Sequence, residues 1–312
     1  MNNPMAKVAI IIVTWKGMKW IDKCLTSIRE SSYPVTTFIV DNASPDETPN
    51  HIAQNYPEMI LTRSEDNLGF GKANNIAIAQ AYKEGFDYFF LLNQDAYLQP
   101  CTVERLLQVA ATDKYAIISP IHLNGDGSHI DFYFRDFVLG KCPAYLDLSV
   151  IGGEDVIFES DFIPAAAWFL PRKTIEEIGG FDPLFYHYGE DDNYCQRCRF
   201  HHRKIVFITK TFIHHDREAT VGNSTIYNRK IAFRHIVQDC ANINNSTGEM
   251  IQRQGRQFYD EIGLWFMYLF TGKWKMLHNF IGDYFKIIFM IPKFKHSRKF
   301  NKTIGMNWID IF

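Results

Sequence analysis

Several things are missing from this 312-residue chain, and each absence removes a class of protein. Its six cysteines, Cys24, Cys101, Cys142, Cys195, Cys198 and Cys240, are scattered and far too sparse for a disulfide scaffold, which suits a reducing compartment. No apolar run is long enough to span a bilayer: the first, Val8 to Val13, has six residues and no small-residue cleavage site, so it reads as a strand and not as a secretory signal. Later windows are broken by Lys273, Lys275, Asp283 and Lys286. A cytoplasmic protein is therefore expected. There is no internal repeat, no low-complexity segment, no G-x-G-x-x-G dinucleotide loop and no helix-turn-helix, zinc-finger or RNA-binding signature, so nucleic acid is not an expected partner. The sequons at Asn223 and Asn245 are short enough to recur by chance. With 46% apolar and 22% charged residues, the chain can bury one large core plus an appended element.

What is present is an alternation of strand and helix signals, each strand ending in polar residues. Tyr88, Phe89, Phe90, Leu91 and Leu92 have the continuous hydrophobicity of a central parallel strand covered on both faces, and they stop abruptly at Asn93, Gln94 and Asp95. Val8 to Val13 ends in Thr14 and Trp15, and Phe38 to Val40 ends in Asp41 and Asn42. Ile60 and Leu61 lead toward Asn67, Leu68, Gly69 and Phe70. Helical patterns lie between, at Met18 to Ile28, Thr48 to Tyr56, Ala73 to Tyr82 and from Thr102 onward. The spacing predicts right-handed crossovers in one mostly parallel sheet, with its polar tips along a single edge, where open α/β sheets bind ligands. Asn and Asp also follow strands merely as turn formers and helix caps, and Asp41 admits that reading.

The ordered segments VTWKG, IVDNAS, DNLGFGKANN, LLNQDA, GGFDPLFYHYGEDDNYCQR and FIHHD, from Lys7 to Asp216, resemble a family 2 glycosyltransferase of the GT-A fold, in its rhamnosyltransferase-like branch. The resemblance implies an α/β catalytic domain over residues 1–222 and inverting transfer of a sugar from a nucleotide-diphosphate donor, a dTDP- or UDP-sugar. The acceptor would be a hydroxyl of a glycan or lipid-linked molecule, in bacterial surface polysaccharide synthesis, with Mg2+ or Mn2+ as cofactor. Position by position, it puts Thr14, Trp15 and Asp41 beside the nucleotide base, and Asn67, Gly69, Gly71 and Asn74 along the donor. Asn93 and Asp95 fall in the D-x-D element, with Asn93 toward the donor and Asp95 on the metal. Asp191 takes the place of the catalytic base, Glu190 and Trp168 stand on the acceptor side, and one of His214 and His215, with His214 the preferred, completes the metal site. Trp168 also reads as core, His214 as a structural histidine, and three acids at a helix start are favoured by the helix dipole without any chemistry.

Two rivals follow from the same residues. One is a catalytically silent sugar-nucleotide-binding scaffold; the other is a nucleotidyltransferase, whose glycine-rich basic first loop this sequence does not have. A zinc site from Cys195, Cys198, His201 and His202 lacks a second correctly spaced pair. The stretch from Asn124 to Ser160 reads as an irregular insertion bordering the cleft.

The net charge of −2 conceals an uneven distribution. From Ile251 to Phe312, ten Lys and Arg face four acids, a surplus of six that leaves −8 for residues 1–250. The same tail interleaves Trp265, Phe266, Tyr268, Phe270, Trp274, Phe285 and Phe289 with lysines. Residues 223–312 are thus expected to form an aromatic, basic helical extension. It either lies at an anionic membrane surface, at the inner face of the cytoplasmic membrane, or caps the catalytic domain.

Overall fold

The computed structural model describes residues 5–112, 114–142, 144–145, 156–217 and 225–309. Residues 143 and 146–155 of the expected insertion from Asn124 to Ser160 lie outside them. The chain divides into two compact units, Met1–Ala219 with Ile304–Phe312, and Thr220–Thr303. The last segment thus belongs to the first unit, where the sequence reading placed it with the helical extension. The reason is local: Gly180 N donates to Asn307 O, Gly305 N to Glu177 O and Asn75 Nδ2 to Trp308 O, and Trp308 and Ile309 are buried.

The first unit is built on one nine-stranded sheet. Its strands are β1 (Val8–Thr14), β2 (Thr36–Asp41), β3 (Ile60–Arg63), β4 (Tyr88–Leu92), β5 (Ala96–Leu98), β6 (Tyr115–Asn124), β7 (Ile157–Glu159), β8 (Ala167–Pro171) and β9 (Lys204–His215). The order is β3-β2-β1-β4-β8-β6-β9-β5, with β7 pairing β9. The pairs β1–β2, β1–β4, β2–β3 and β6–β9 are parallel; β8 runs antiparallel to both β4 and β6, and β5 and β7 run antiparallel to β9.

Side-chain alternation along the strands supplies a core on each face. Ala9 and Ile11 of β1 join Phe38, Val40, Phe89, Leu91 and Trp168 on one side. There they pack on α3 (Phe70–Lys83), α6 (Arg172–Ile178) and α7 (Glu190–Phe200) through Ala73, Ala77, Ile175, Tyr194 and Cys198. Val8, Ile10 and Ile12 face the other way with Ile39, Phe90 and Phe169. They meet α1 (Ile21–Arg29), α2 (Thr48–Asn55) and α4 (Thr102–Ala110) through Cys24, Leu25, Ile52, Val103 and Leu106. Strands buried on both faces explain the unbroken apolar run from Tyr88 to Leu92. A short helix, α5 (Phe132–Phe137), follows β6; Asp131 caps it by accepting from Phe134 N at 3.0 Å.

The second unit contains α8 (Thr225–Ala241), α9 (Thr247–Phe270) and α10 (Trp274–Asn301). A capping box of Ser246 and Glu249 starts α9. Asp239 accepts from Arg253 and Gln254, while the buried Arg298 donates to the carbonyls of Cys240, Asn242 and Asn245, which ties the three helices together. Phe258, Trp265 and Tyr284 form an edge-to-face cluster, with Phe258 centroids 5.5 Å from Trp265 and 5.2 Å from Tyr284. Other apolar residues face outward: Phe270 is 82% exposed, Phe289 77% and Trp274 61%. No described helix is long and apolar enough to cross a membrane.

Candidate active site

The sheet edge assembles from the carboxyl ends of the parallel strands. Thr14 pairs with Asp41 in the β1–β2 register, so the two strand ends lie side by side. Gln94, just past β4, then ties them to the centre: its Oε1 accepts from Thr14 Oγ1 at 2.7 Å and Trp15 N at 3.0 Å, and its Nε2 donates to Trp15 O at 3.1 Å. Thr14 is therefore buried and engaged with the chain itself, whereas the Trp15 ring is 45% exposed beneath Lys16, whose Nζ lies 4.6 Å from its centroid. Asp41 is buried. One carboxylate oxygen accepts from Ser44 N at 3.0 Å; the other, Oδ1, is sealed from water with no hydrogen-bond partner, an uncommon and costly state for a charged oxygen.

The loop into α3 is held from within. Asn42 Oδ1 accepts from Leu68 N at 2.7 Å and its Nδ2 donates to Asn67 Oδ1 at 3.0 Å, while Tyr186 Oη donates to Asn67 at 3.1 Å. Asn74 is buried and donates to Phe70 O. The two glycines serve close packing: at Gly69, with φ 79°, a Cβ would come within 2.0 Å of Tyr186 O, and at Gly71 within 2.8 Å of Phe181 Cβ. Of the residues expected to line the donor, Gly69, Gly71 and Asn74 are turned to the protein, while Asn67 is exposed with its Oδ1 held by Asn42, Gly69 N and Tyr186. What this loop offers a ligand is backbone.

Asp95 is placed by a pairing that the sequence does not announce. Beyond β4 the chain enters β5, which pairs antiparallel with β9 so that Ala96 lies opposite His215. Asp216 N donates to Asp95 O at 2.8 Å, and Asp95 Oδ1 lies 3.5 Å from His215 Nε2. Burial pushes the Asp95 carboxyl upward, but the hydrogen bond from His215, its own backbone and Arg217 outweigh that and hold it below the usual carboxylate range. The imidazole beside Asp95 is therefore His215, not the expected His214. Adjacent strand residues point to opposite faces, and His214 packs on Gly127 and lines a separate surface cavity of about 630 Å³ with Asp22, Lys23, Tyr97 and Asp126. That cavity contains none of Asp41, Asp95 or Asp191.

The third acid arrives from the other half of the unit. Asn93 N donates to Ala166 O at 3.0 Å, which brings the segment before β8 to the end of β4. The neighbouring Ala165, with Asp192 and Gly189, presents backbone N–H groups that favour the ionised Asp191. Burial outweighs them and raises the Asp191 carboxyl above its ordinary value. Asp95 and Asp191 are thus shifted in opposite directions at one edge, the pattern that divides acid and base roles between carboxylates. Glu190 is buried, with Cβ near Gly71, so Asp191 and Asp192 are the partly accessible acids of that run. Non-glycine residues with left-handed backbone stand at three of these turns: Lys16 at φ 51°, Ala43 at φ 59° and Tyr188 at φ 66°.

Trp168 is not at the edge. It is fully buried, stacks on Phe181 at 5.9 Å with an interplanar angle of 15°, and satisfies its indole by donating to Ile163 O at 3.1 Å. An acceptor contact is excluded because β8 is an interior strand and Trp168 faces the α3–α7 layer. Cys195 and Cys198 are buried in the same layer, their thiols pushed up by burial. Among the described residues no group of three or more His, Cys, Asp or Glu is disposed around a metal ion. Asp95 and His215 remain as a pair of donors. The Asp95 carboxylate suits Mg2+ or Mn2+, with the imidazole the softer of the two donors, and the rest of the coordination would come from water and substrate phosphates.

Residues 9–151 match the profile of the family described as "Glycosyl transferase family 2". Over that segment the chain resembles the family 2 glycosyltransferases, and its fold is that of the GT-A glycosyltransferases. In sequence it is rhamnosyltransferase-like: it is 28% identical over 205 residues to N-acetylglucosaminyl-diphospho-decaprenol L-rhamnosyltransferase of Mycobacterium tuberculosis, covering 58% of this chain and 67% of that one. It is 24% identical over 200 residues to the low-salt glycan biosynthesis hexosyltransferase Agl10 of Haloferax volcanii, covering 62% and 61%. Among solved structures, mannosyltransferase PcManGT from Pyrobaculum calidifontis, in complex with GDP-Man and Mn2+, superposes with a TM-score of 0.55 at 17% identity, over 78% of this chain and 66% of that one. S. aureus TarS 1-349 in complex with UDP gives 0.52 at 15%, over 79% and 68%. At these identities the likeness concerns the fold of the glycosyltransferase alone.

Two contributors escaped the sequence reading. Gln94 sits inside the expected LLNQDA segment and its role was readable only once β1 and β4 were known to adjoin. The pair Asp131 and Arg217 had no signal short of the β6–β9 pairing.

Proposed function

We propose that this glycosyltransferase moves a sugar, with inversion, from a nucleoside-diphosphate donor to a hydroxyl of a glycan or lipid-linked acceptor. The observation that carries the reading is the pair of oppositely shifted carboxylates, Asp95 and Asp191, on one sheet edge. In this reading Asp41 accepts a hydrogen bond from a ring N–H of the base, and Trp15 supplies an apolar wall. Asp95 and His215 would hold a divalent cation, Mg2+ or Mn2+, and such an ion would supply neutralisation of the charge on a departing diphosphate. Asp191 removes the proton from the acceptor hydroxyl as that oxygen attacks the anomeric carbon from the side opposite the diphosphate, and its raised affinity for protons makes it the better base. The name of the mycobacterial relative supports an acceptor on a lipid diphosphate, and a dTDP- or UDP-sugar is the proposed donor.

The test is a thermal-shift and calorimetric screen of UDP-, dTDP- and GDP-sugars with and without Mn2+. Stabilisation should appear with one donor class, need the cation, and vanish in Asp95→Ala. Equal donor affinity in the wild type with EDTA and in Asp95→Ala with Mn2+ would remove the cation from the mechanism. Turnover should release a nucleoside diphosphate. Pyrophosphate would indicate nucleotidyl transfer, and binding without turnover a silent scaffold.

A second reading concerns the other unit. Phe270, Trp274 and Phe289, exposed among Lys273, Lys275 and Lys286, suit peripheral attachment to an anionic membrane, where a lipid-linked acceptor would be met. Sedimentation with anionic vesicles at low ionic strength should retain the protein, and salt should release it; no retention at low salt overturns this reading.

A further inference from the structure

His215 has a side that faces away from Asp95, and two charged residues compete for it. Arg217 Nη2 lies 2.9 Å from His215 Nδ1. A guanidinium can only donate, so Nδ1 accepts, and the neutral ring then carries its proton on Nε2, toward Asp95 Oδ1. Asp131 Oδ2 is 4.0 Å from the same Nδ1 and 3.2 Å from Arg217 Nε. His215 and Asp131 are both buried, and the Arg217 guanidinium is further held over the Tyr133 ring at 4.5 Å. Behind them the buried His122 ring packs 4.5 Å from Phe134 and 6.0 Å from His215, and its deep burial keeps it neutral.

A cation can share His215 with Asp95 only through a lone pair on Nε2. The ring proton must then sit on Nδ1, which needs an acceptor where Arg217 now donates. Asp131 is the carboxylate within reach. The exchange is balanced: Nε2 gives up a proton to solvent, Nδ1 takes one from solvent, and Arg217 turns from the ring.

We propose that Asp131 and Arg217 are positioning residues that compete for Nδ1 of His215 and so set which ring nitrogen faces a divalent cation beside Asp95. Arg217 holds the ring in the non-ligating tautomer, and Asp131 holds it in the ligating one. The inference rests on the reading of Asp95 and His215 as the protein ligands of that cation.

The test uses the full chain and Mg2+, which is diamagnetic. Long-range 1H–15N spectra of the histidine rings should show the Nε2–H tautomer of His215 without added metal, a shift toward Nδ1–H in Arg217→Met, and Nδ1–H in the wild type with Mg2+. By calorimetry, Asp131→Asn should weaken Mg2+ binding by about 10- to 100-fold, as loss of an outer-shell partner generally does. Asparagine can still cap α5, so folding is retained. Arg217→Met should bind Mg2+ as tightly as the wild type or more tightly. An Nδ1–H ring in the metal-free wild type, Mg2+ affinity within twofold in Asp131→Asn, or equal losses in both variants would overturn the proposal. If His215→Ala leaves Mg2+ binding intact, the reading of the cation site fails, and the metal-free spectra alone then uphold or overturn the hold of Arg217 on the ring.

Discussion

The two units differ in where most of their large aromatic side chains lie. In the sheet unit, Trp168, Phe89, Phe90, Phe169, Phe181 and Phe207 are fully buried, because a sheet covered on both faces leaves an interior strand no outward side. In the helical unit, Phe258, Trp265 and Tyr284 form one cluster and Phe294 is buried, while Phe266, Phe270, Trp274, Phe285 and Phe289 are exposed. Phe270 and Trp168 are similar in hydrophobicity, yet one anchors a core and the other is available to a partner. The acids also differ in setting between the units: Asp41 and Asp95 stand at strand ends and Asp191 at a helix start, whereas Asp239 accepts from Arg253 and Gln254 of the next helix.

This contrast can be broken most directly at Asp191. Asp191→Asn should reduce turnover by about 10²- to 10⁴-fold while leaving donor affinity nearly unchanged, whereas Asp192→Asn should do much less. Steady-state kinetics that put the large loss at Asp192 or Glu190 would move the base. The same substitution should stabilise the fold at neutral pH. The folded-state affinity of Asp191 for its proton is raised, so its contribution to stability is complete below the ordinary value of 3.8 and is lost as pH rises through the folded value. The gain in Tm of Asp191→Asn over wild type should therefore grow from acid toward neutral pH, and a gain independent of pH contradicts the assignment.

A comparison of paired truncations comes next. Trp168→Ala should destabilise the sheet unit by about 3–5 kcal/mol, a transfer and cavity loss together, while Phe289→Ala should stay within about 0.5 kcal/mol. Denaturant titrations reporting similar losses would mean that Phe289 is covered. The smallest effect in solution is at the exposed rings: Phe270→Ser with Phe289→Ser should leave kcat on a soluble acceptor unchanged and reduce retention on anionic vesicles, which gel assays and sedimentation measure separately.

The sequence carried much of this architecture. The run Tyr88 to Leu92 is a strand with those bounds, and the helices expected at Met18 to Ile28 and Thr48 to Tyr56 appear at Ile21–Arg29 and Thr48–Asn55. Those features are local, since hydrophobic periodicity and turn residues act within a few neighbours. Asp41 and Asp95 were readable as polar residues at strand exits for the same reason. His215 was not: FIHHD reads identically whichever histidine faces Asp95. Gly71 resembles a ligand-facing glycine until Phe181, 110 residues away, is seen against it.

By itself, then, the sequence determined which segments pair into a parallel sheet and which edge gathers polar residues, because apolar burial and chain connectivity leave few arrangements. The tertiary structure decided which member of each adjacent pair faces that edge. Side chains alternate across a strand, so a single step of register exchanges His214 for His215, and that step is fixed by the long-range pairing of Ala96 with His215.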